Sequence, residues 1–222
     1  SWATKGVITP LNELMTAQEY ADFTRKVFPA ILKIGSFKDK LYGVCIGLNL
    51  MAIYYRADHF RQAGLNPECP PGSIEQLDEM ASKLYVYGKN DDILRVGFQP
   101  TDYHLWLPSF GGRLYDPAHE RLCINSSQNL RTLQWMQSYS KKYGYEKIQR
   151  LLASFSQGQT GGVDWPFMTG AYSMVVDGQW RVVQLAKFAP GIDYRTAPLP
   201  RLKGDAGEAP GYASGNFMIV PR

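Results

Sequence analysis

"KLYGVCIGLNLMAIYYR", residues 40–56, is the stretch that decides the fold of this chain. It is a long run of aromatic, β-branched and other apolar residues, interrupted by Gly47 and by the lone polar Asn49. Runs of this composition predict a β-strand. Helix signals follow the run directly, and a strand that leads into helices is typical of an α/β fold.

Two helices are predicted after this strand. "ADHFRQAG", residues 57–64, is a short helix that ends at Gly64, because glycine is favoured just beyond a helix C-terminus. After a proline-rich loop, Ser73 and Gln76 form a capping box at the start of a second helix, which extends to about residue 88. Apolar residues recur along that helix at helical spacing and predict one buried stripe, made of Ile74, Leu77, Ala81 and Leu84.

The rest of the chain continues the alternation of helices and strands. Thr16 and Glu19 form a capping box that opens an earlier helix. Further helices are predicted at residues 129–143 and 179–188, and the first should bury Leu130, Leu133, Met136 and Tyr139. Strands are predicted at residues 93–98, 171–176, 193–200 and 212–220. This alternation predicts mostly parallel sheets flanked by helices.

Composition argues against several classes of function. The 222 residues carry a formal net charge of +4, with Lys and Arg scattered along the chain, which argues against nucleic-acid binding. No apolar stretch approaches the roughly 20 residues of a membrane helix. The three cysteines lack metal-binding spacing, so no metal site is predicted. Aromatic residues make up 13% of the chain, which suits rings that serve as contact surfaces.

The order of several motifs resembles one protein family. "GVITPLNELM" (6–15), the stretch at 41–84, "FMTGAYSMVVDGQW" (167–180) and "TAPLP" (196–200) follow one another as in the extracellular solute-binding proteins of ABC importers. The resemblance is to the maltose-binding and glycerol-phosphate-binding type. The chain departs from the family pattern at positions that leave the substrate open: Ile74 replaces the usual Trp, Arg56-Ala57 replaces Asn-Lys, and Ser214-Gly215 stands for Gly-Gly.

The resemblance implies a periplasmic binding protein-like fold of type II, with two α/β lobes joined by a hinge. Residues 1–48 would belong to lobe one, residues 49–198 would form a nearly complete lobe two, and residues 199–222 would return to lobe one. The opening strands and closing helices of the family would then lie outside the sequence. We therefore expect a fragment in which lobe one is partial.

The resemblance also implies a function. The protein would be the extracytoplasmic component of an ABC importer, located in the periplasm or held at the cell surface as a lipoprotein. It would bind a sugar or oligosaccharide in the cleft between the lobes and deliver it to the membrane permease, without a cofactor. Self-association is a further expectation, because truncation would expose apolar surface.

Trp180 is the principal candidate for contact with the ligand. It ends "YSMVVDGQW", residues 172–180, where an apolar strand meets Asp177-Gly178-Gln179. We expect Gly178 to let the chain turn sharply and to present the indole to the cleft. The C–H face of a sugar is apolar, so an exposed aromatic plane suits it. Packing of Trp180 in the core is the alternative.

Other candidate ligand contacts come from three segments. Tyr103 and Trp106 match a segment that places a Tyr against the sugar in maltose-binding relatives, although Trp106 is expected in the core. The adjacent Asp102 could accept hydrogen bonds from hydroxyls, and a surface loop without ligand contact is the alternative for Tyr103 and Asp102. Asn49 would lie at the hinge near the ligand, unless it satisfies backbone groups at a bulge. From lobe one, the Ser214–Asn216 segment would approach the solute, with Gly215 and Asn216 as the named contacts.

Two other functions remain as alternatives. A phosphorylated solute such as glycerol phosphate would require helix N-termini and an arginine, and Arg181 is the candidate. A carbohydrate-active enzyme would require paired carboxylates, but nothing pairs Asp102, Asp164 and Asp177 in the sequence. The histidines have no obvious Ser or Cys partner in the sequence and no nucleophile motif is present, so no catalytic residue is predicted.

Overall fold

The computed structural model describes residues 2–116, 118–155, 165–205 and 210–222. The chain divides into two compact units: unit 1 is Ser1–Leu50 with Ala213–Arg222, and unit 2 is Met51–Tyr212. It therefore passes from one unit to the other twice. The first passage lies two residues after the predicted boundary at residue 48, and the second lies well beyond the predicted return at residue 199. The assignment of the units to lobes stays a prediction.

Unit 1 contains short strands and two helices. Its first helix begins after Thr16, whose hydroxyl accepts a hydrogen bond from the Glu19 amide at 3.3 Å. The Glu19 carboxylate accepts in return from the Thr16 amide at 2.8 Å, so the predicted capping box is confirmed. The elements are β1 (Ile8–Thr9), α1 (Ala17–Lys26), α2 (Pro29–Gly35), β2 (Ser36–Phe37), β3 (Lys40–Leu41), the first half of β4 (Val44–Arg56), β11 (Ala213–Met218) and β12 (Val220–Pro221).

Unit 2 holds the larger hydrophobic core, built from residues of its strands and helices. The second half of β4 runs through it and carries the fully buried Ile53. The other elements are α3 (Ala57–Gln62), α4 (Ile74–Leu84), β5 (Val86–Tyr87), β6 (Ile93–Arg95), α5 (Tyr103–Trp106), β7 (Tyr115–Asp116), β8 (Arg121–Leu122), α6 (Ser127–Tyr143), α7 (Tyr145–Phe155), β9 (Met174–Gly178), α8 (Trp180–Phe188) and β10 (Tyr194–Ala197).

The two helices predicted after the long strand are confirmed as α3 and α4. Gly64 adopts a φ of 70° after α3, in the left-handed region that favours glycine. The Ser73 hydroxyl caps α4 by accepting from the Gln76 amide at 3.2 Å. α4 ends four residues before its predicted end, because the chain continues into β5, which pairs with β6. Its predicted stripe is confirmed, since all four members are buried: Ile74, Leu77, Ala81 and Leu84.

The expectation of mostly parallel sheets is wrong for the part of the chain that the structure describes. Every pairing between named strands is antiparallel there, and parallel contact is confined to single bridges such as Val96–Tyr172. β4 lies between β9 and β10 and runs opposite to both: Tyr54 faces Val175 on one side and Thr196 on the other. Strand–helix alternation correctly gives β9 and β10 the same direction. It gives no sign that β4 separates them.

The predicted buried face of α6 is confirmed for Tyr139 but wrong for Leu130 and Leu133. Leu130 and Leu133 are 51% and 49% exposed, whereas Asn129 and Thr132 are fully buried. The Asn129 amide donates to the backbone carbonyls of Arg113 and Cys123 at 3.0 and 2.8 Å, so a polar side chain is satisfied inside the unit. The full buried face of α6 consists of Asn129, Thr132, Trp135, Tyr139 and Tyr143.

A carboxylate joins α4 to this face of α6. One Asp78 oxygen accepts hydrogen bonds from the Trp135 indole at 2.9 Å and from the Tyr139 hydroxyl at 2.6 Å. Burial raises the pKa of Asp78, while these two hydrogen bonds act in the opposite direction. The carboxylate therefore satisfies two donors that would otherwise be buried without a partner.

We expect Asp78→Ala to lower the free energy of unfolding by about 2–4 kcal/mol, because it leaves the Trp135 and Tyr139 donors unsatisfied. Asp78→Asn keeps an acceptor oxygen and removes the desolvation cost of the charge, so it should cost less than about 1 kcal/mol. Urea unfolding of both variants measures the difference, with the exposed neighbour Glu79→Ala as control. Equal losses for Asp78→Ala and Glu79→Ala would contradict the assigned role of Asp78.

Candidate functional site

Trp180 lies at the first position of α8, two residues after the end of β9. Its side chain is 39% exposed, so it is neither sealed in the core nor free in solvent. The bend between strand and helix falls at Gln179, which has φ −60° and ψ −19°. An indole therefore sits at the surface of unit 2, carried by the junction of a strand and a helix.

Gly178 has a different role from the predicted one. It is the last residue of β9, and its φ lies outside the left-handed region, so the expected glycine-dependent turn is wrong. A Cβ at this position would lie 2.0 Å from Cζ3 and 2.1 Å from Cη2 of Trp180. The indole thus rests directly on the Gly178 backbone. Glycine is required because the ring occupies the space that any side chain would need.

The peptide groups of Gly178 are held from both sides. Its carbonyl accepts from the Tyr54 hydroxyl at 2.9 Å, and its amide donates to the Asp177 carboxylate at 2.8 Å. Burial and the nearby Asp177 raise the pKa of Tyr54 to about 12, so its hydroxyl stays protonated and donates. Both hydrogen bonds fix the strand end on which the Trp180 ring lies.

Arg181 completes this arrangement. Its Nε donates to Asp177 at 2.7 Å, and its guanidinium carbon lies 4.1 Å from the centre of the Trp165 ring. Trp165 in turn meets Tyr54 edge to face, with ring centres 6.4 Å apart. We call the five residues Tyr54, Trp165, Asp177, Gly178 and Arg181 the Gly178 circuit, because their contacts return to their starting point.

The segment around Tyr103 also belongs to unit 2. The Tyr103 hydroxyl donates to the Asn129 carbonyl at 3.2 Å, and partial burial raises the pKa of this phenol. Asp102 is exposed and adopts a φ of 51° just before α5. Trp106 is fully buried and donates from its indole to the Thr101 carbonyl at 3.0 Å, so its predicted place in the core is confirmed. Contact of Tyr103 and Asp102 with a ligand stays a prediction.

The remaining candidates lie in unit 1 on the β4–β11 ladder. Asn49 faces Ser214, and its amide lies 3.5 Å from the Ser214 hydroxyl. A Cβ on Gly215 would lie 2.6 Å from the Cys45 sulfur, so this glycine is required by packing within unit 1. Asn216 is paired with Gly47, immediately before a bulge in β11. Their role as ligand contacts stays a prediction.

Three of the residues weighed for catalysis, Asp177, His59 and His119, are engaged in structural contacts. Asp177 is paired with Arg181, and Asp164 lies outside the described residues. His59 is buried, with its Nδ1 3.0 Å from the Ser173 hydroxyl, and His119 contacts Asp116 at 2.8 Å. Within the described ranges, no group of three or more His, Cys, Asp or Glu side chains is arranged to hold a metal ion.

A groove of about 810 Å³ lies elsewhere on unit 2. It follows the proline-rich loop before α4 and the chain that continues from β10, at residues 70–76 and 197–205. None of the described residues predicted to contact the ligand lines it. Size alone therefore does not make this groove the candidate site, and the exposed Trp180 is the stronger candidate.

The family assignment rests on the whole chain. The sequence model of the family described as bacterial extracellular solute-binding protein matches residues 1–222. The chain belongs to this family. None of the curated protein sequences gives a match. Among the described residues of this solute-binding protein, no helix is long and apolar enough to cross a membrane.

Solved structures of solute-binding proteins share this fold. CpMnBP1 with mannobiose bound is 29% identical over 100% of this chain, with a TM-score of 0.84. An ABC transporter solute-binding protein from Thermotoga lettingae, bound with alpha-D-tagatose, is 21% identical over 99%, with a TM-score of 0.73. UgpB from Mycobacterium tuberculosis, in complex with glycerophosphocholine, is 19% identical over 99%, with a TM-score of 0.72. The chain covers 55%, 55% and 52% of these three proteins.

Sequence reasoning missed most of the Gly178 circuit. Trp165 precedes the quoted motif, and Tyr54 belongs to a strand more than a hundred residues earlier in the chain. The short separation of Asp177 and Arg181, four residues apart in the chain, was the one local signal, although Asp177 lies in β9 and Arg181 in α8. The chain belongs to a family of solute-binding proteins, so contact with a solute, rather than catalysis, is the hypothesis kept for this region.

The buried His59 predicts a loss of stability in acid. Burial, together with Arg95, lowers its pKa to about 4, and the nearby Asp58 opposes this shift only in part. The unfolded chain, with a histidine pKa of about 6.5, then binds the proton more readily than the folded chain. Stability is therefore complete above about pH 6.5 and is lost as the pH falls toward about 4.

We expect this loss to reach roughly 2–3 kcal/mol. Denaturant unfolding at about pH 4.5 and about pH 7.5 measures it. His59→Gln, which cannot titrate there, should flatten the pH dependence, whereas the exposed His104→Gln should leave it unchanged. The role of His59 is refuted if His59→Gln and the natural protein lose the same stability over this range.

Proposed function

We propose that this protein is the extracytoplasmic solute-binding component of an ABC importer and that it binds a sugar or oligosaccharide. Membership of the bacterial extracellular solute-binding proteins supports this proposal. The solved structure of CpMnBP1 matches 100% of this chain, and CpMnBP1 is known with mannobiose and with mannotriose bound. Mannose oligosaccharides are therefore the first solutes to test.

The observation that carries the sugar assignment is the half-exposed Trp180. An isolated exposed tryptophan leaves apolar surface in water, and its position on Gly178 keeps the ring from folding into the core. A pyranose offers an apolar C–H face, which suits an exposed aromatic plane, and carries its hydroxyls at its edge. We propose that Trp180 stacks on the sugar and that Gly178 contributes by holding the Trp180 ring in position.

The finer assignment of the fold belongs to the same proposal. Units 1 and 2 would be the partial lobe one and the nearly complete lobe two of a type II periplasmic binding protein, joined by a hinge. Asn49 would lie at the hinge, Gly215 and Asn216 would contact the solute from lobe one, and Tyr103 and Asp102 would contact it from lobe two. A solute that contacts both lobes stabilises their closed state, which is the mechanism we propose. The permease of the importer would then receive the closed form.

A phosphorylated solute is the alternative supported by UgpB, which is known in complex with glycerophosphocholine. Arg181 was the candidate partner for such an anion. Its guanidinium already pairs with Asp177, donates to Gln184 at 2.8 Å and lies over Trp165. Recruiting it to a phosphate would break these contacts, so the neutral sugar is favoured. The periplasm or a lipid-anchored position at the cell surface is the proposed location, and self-association also stays a proposal.

We expect Trp180→Ala to weaken sugar binding by the natural full-length protein by about tenfold or more, because the stacking surface is lost. Calorimetric titration with mannobiose, mannotriose, maltotriose and glycerophosphocholine measures the affinities. Phe188→Ala removes another exposed aromatic ring of α8 and serves as the matched control, with unchanged affinity expected. Binding of glycerophosphocholine alone, or equal sugar affinity in Trp180→Ala and the natural protein, would reject the assignment.

A further inference from the structure

The orientation of the Trp180 ring depends on the neighbouring groups that contact and support it. A tryptophan side chain rotates about two bonds, and at a helix start on the surface few neighbours restrict it. In this protein the six-membered part of the indole lies on Gly178. The orientation of the ring is therefore set by the position of the Gly178 backbone beneath it.

The two peptide groups that meet at Gly178 are held by Tyr54 and Asp177. Tyr54 donates to the Gly178 carbonyl and the Gly178 amide donates to Asp177, so neither peptide group can rotate without losing a hydrogen bond. An unpaired buried carbonyl or amide is destabilising, so these hydrogen bonds hold the backbone on which the indole lies.

Arg181 fixes the Asp177 carboxylate in turn. The two side chains are 14% and 16% exposed, so water screens their attraction less than at an open surface. The planar guanidinium donates from Nε to Asp177 and from one terminal nitrogen to Gln184, while its face packs on Trp165. A lysine could reproduce the charge but not this combination of a fork and a flat face.

We propose that Asp177, Gly178 and Arg181 are positioning residues that hold the Trp180 indole in the orientation needed to stack on a sugar. This inference rests on the proposed function. A ring already held in its bound orientation loses little freedom when the sugar arrives, so the affinity is higher than a mobile ring would give. Arg181 acts through Asp177 and Gly178 and does not touch the sugar.

Gly178→Ala tests position without removing the ring. The backbone of Gly178 suits alanine, but the added Cβ would overlap the indole, so the ring must swing away. Arg181→Met and Asp177→Asn break the ion pair, and Arg181→Lys keeps the charge while losing the flat stack. Lys83→Met, which breaks the exposed i, i+4 pair with Glu79, is the matched control.

Two measurements are made on the natural full-length protein. Fluorine NMR of protein labelled with fluorotryptophan reports the environment of the Trp180 ring without any sugar, with its resonance assigned by Trp180→Phe. The resonances of the buried Trp106 and Trp135 report whether the core is intact. Calorimetry with mannobiose gives the affinity of each variant.

We expect the Trp180 resonance to move in Gly178→Ala and Arg181→Met while the core resonances stay in place, with mannobiose affinity lower by about tenfold. Arg181→Lys should fall between Arg181→Met and the natural protein, and Lys83→Met should match the natural protein. An unmoved Trp180 resonance, or affinity within about twofold of the natural value in both Gly178→Ala and Arg181→Met, overturns the inference.

The design separates this inference from the proposed function. Should Trp180→Ala bind mannobiose as the natural protein does, the sugar site is wrong whatever the positioning variants show. Should Trp180→Ala lose binding while the positioning variants keep it, the sugar site stands and the inference fails. Because the fluorine resonance is read without sugar, it tests the position of the ring in either case.

Discussion

Backbone hydrogen bonding along β4 is the constraint on which the rest of the structure depends. Ile53, Tyr54 and Tyr55 are buried, and the amides and carbonyls of buried residues must find partners. β9 and β10 supply them from the two sides of the strand. This pairing determines where Met174–Gly178 runs, and it sets the Tyr54 hydroxyl against the last carbonyl of β9. The position of the exposed indole thus follows from how the backbone amides and carbonyls of the buried strand β4 find their hydrogen-bond partners.

Local chemistry made much of the fold predictable. A capping box, a glycine beyond a helix end and a four-residue apolar stripe act within one or two turns of the chain, so α1, α3 and α4 follow from their own sequences. The α6 face could be obtained only in part this way, through Tyr139. Asn129 and Thr132 are polar, yet they are buried because backbone carbonyls accept their hydrogen bonds: Arg113 for Asn129, and Gln128, one turn back in the same helix, for Thr132. Periodicity that counts apolar residues alone leaves such polar positions out of the buried face.

The candidate site divides along the same line. Trp180 could be found from a short motif, since an apolar strand, a glycine and an aromatic residue are consecutive in the sequence. The reason for Gly178 could not be found, because a glycine needed for a turn and a glycine needed under a ring look identical in sequence. Trp165 and Tyr54 lie far from Trp180 along the chain and meet its support only after folding. Sequence therefore identified the exposed ring but not the residues that hold it.

The Asp177–Arg181 pair links the position of the ring to the choice of solute. If Arg181 leaves Asp177, a largely buried carboxylate loses its partner. The free energy lost in this way exceeds what Arg181 would gain by pairing with an anion at an open surface. An anionic solute that drew Arg181 away would therefore also loosen the Gly178 amide and the indole above it. A neutral hydroxylated solute makes no such demand, and it gains from a ring that is already in place. Under the proposed function, the same ion pair would thus favour stacking on a sugar and disfavour capture of a phosphate.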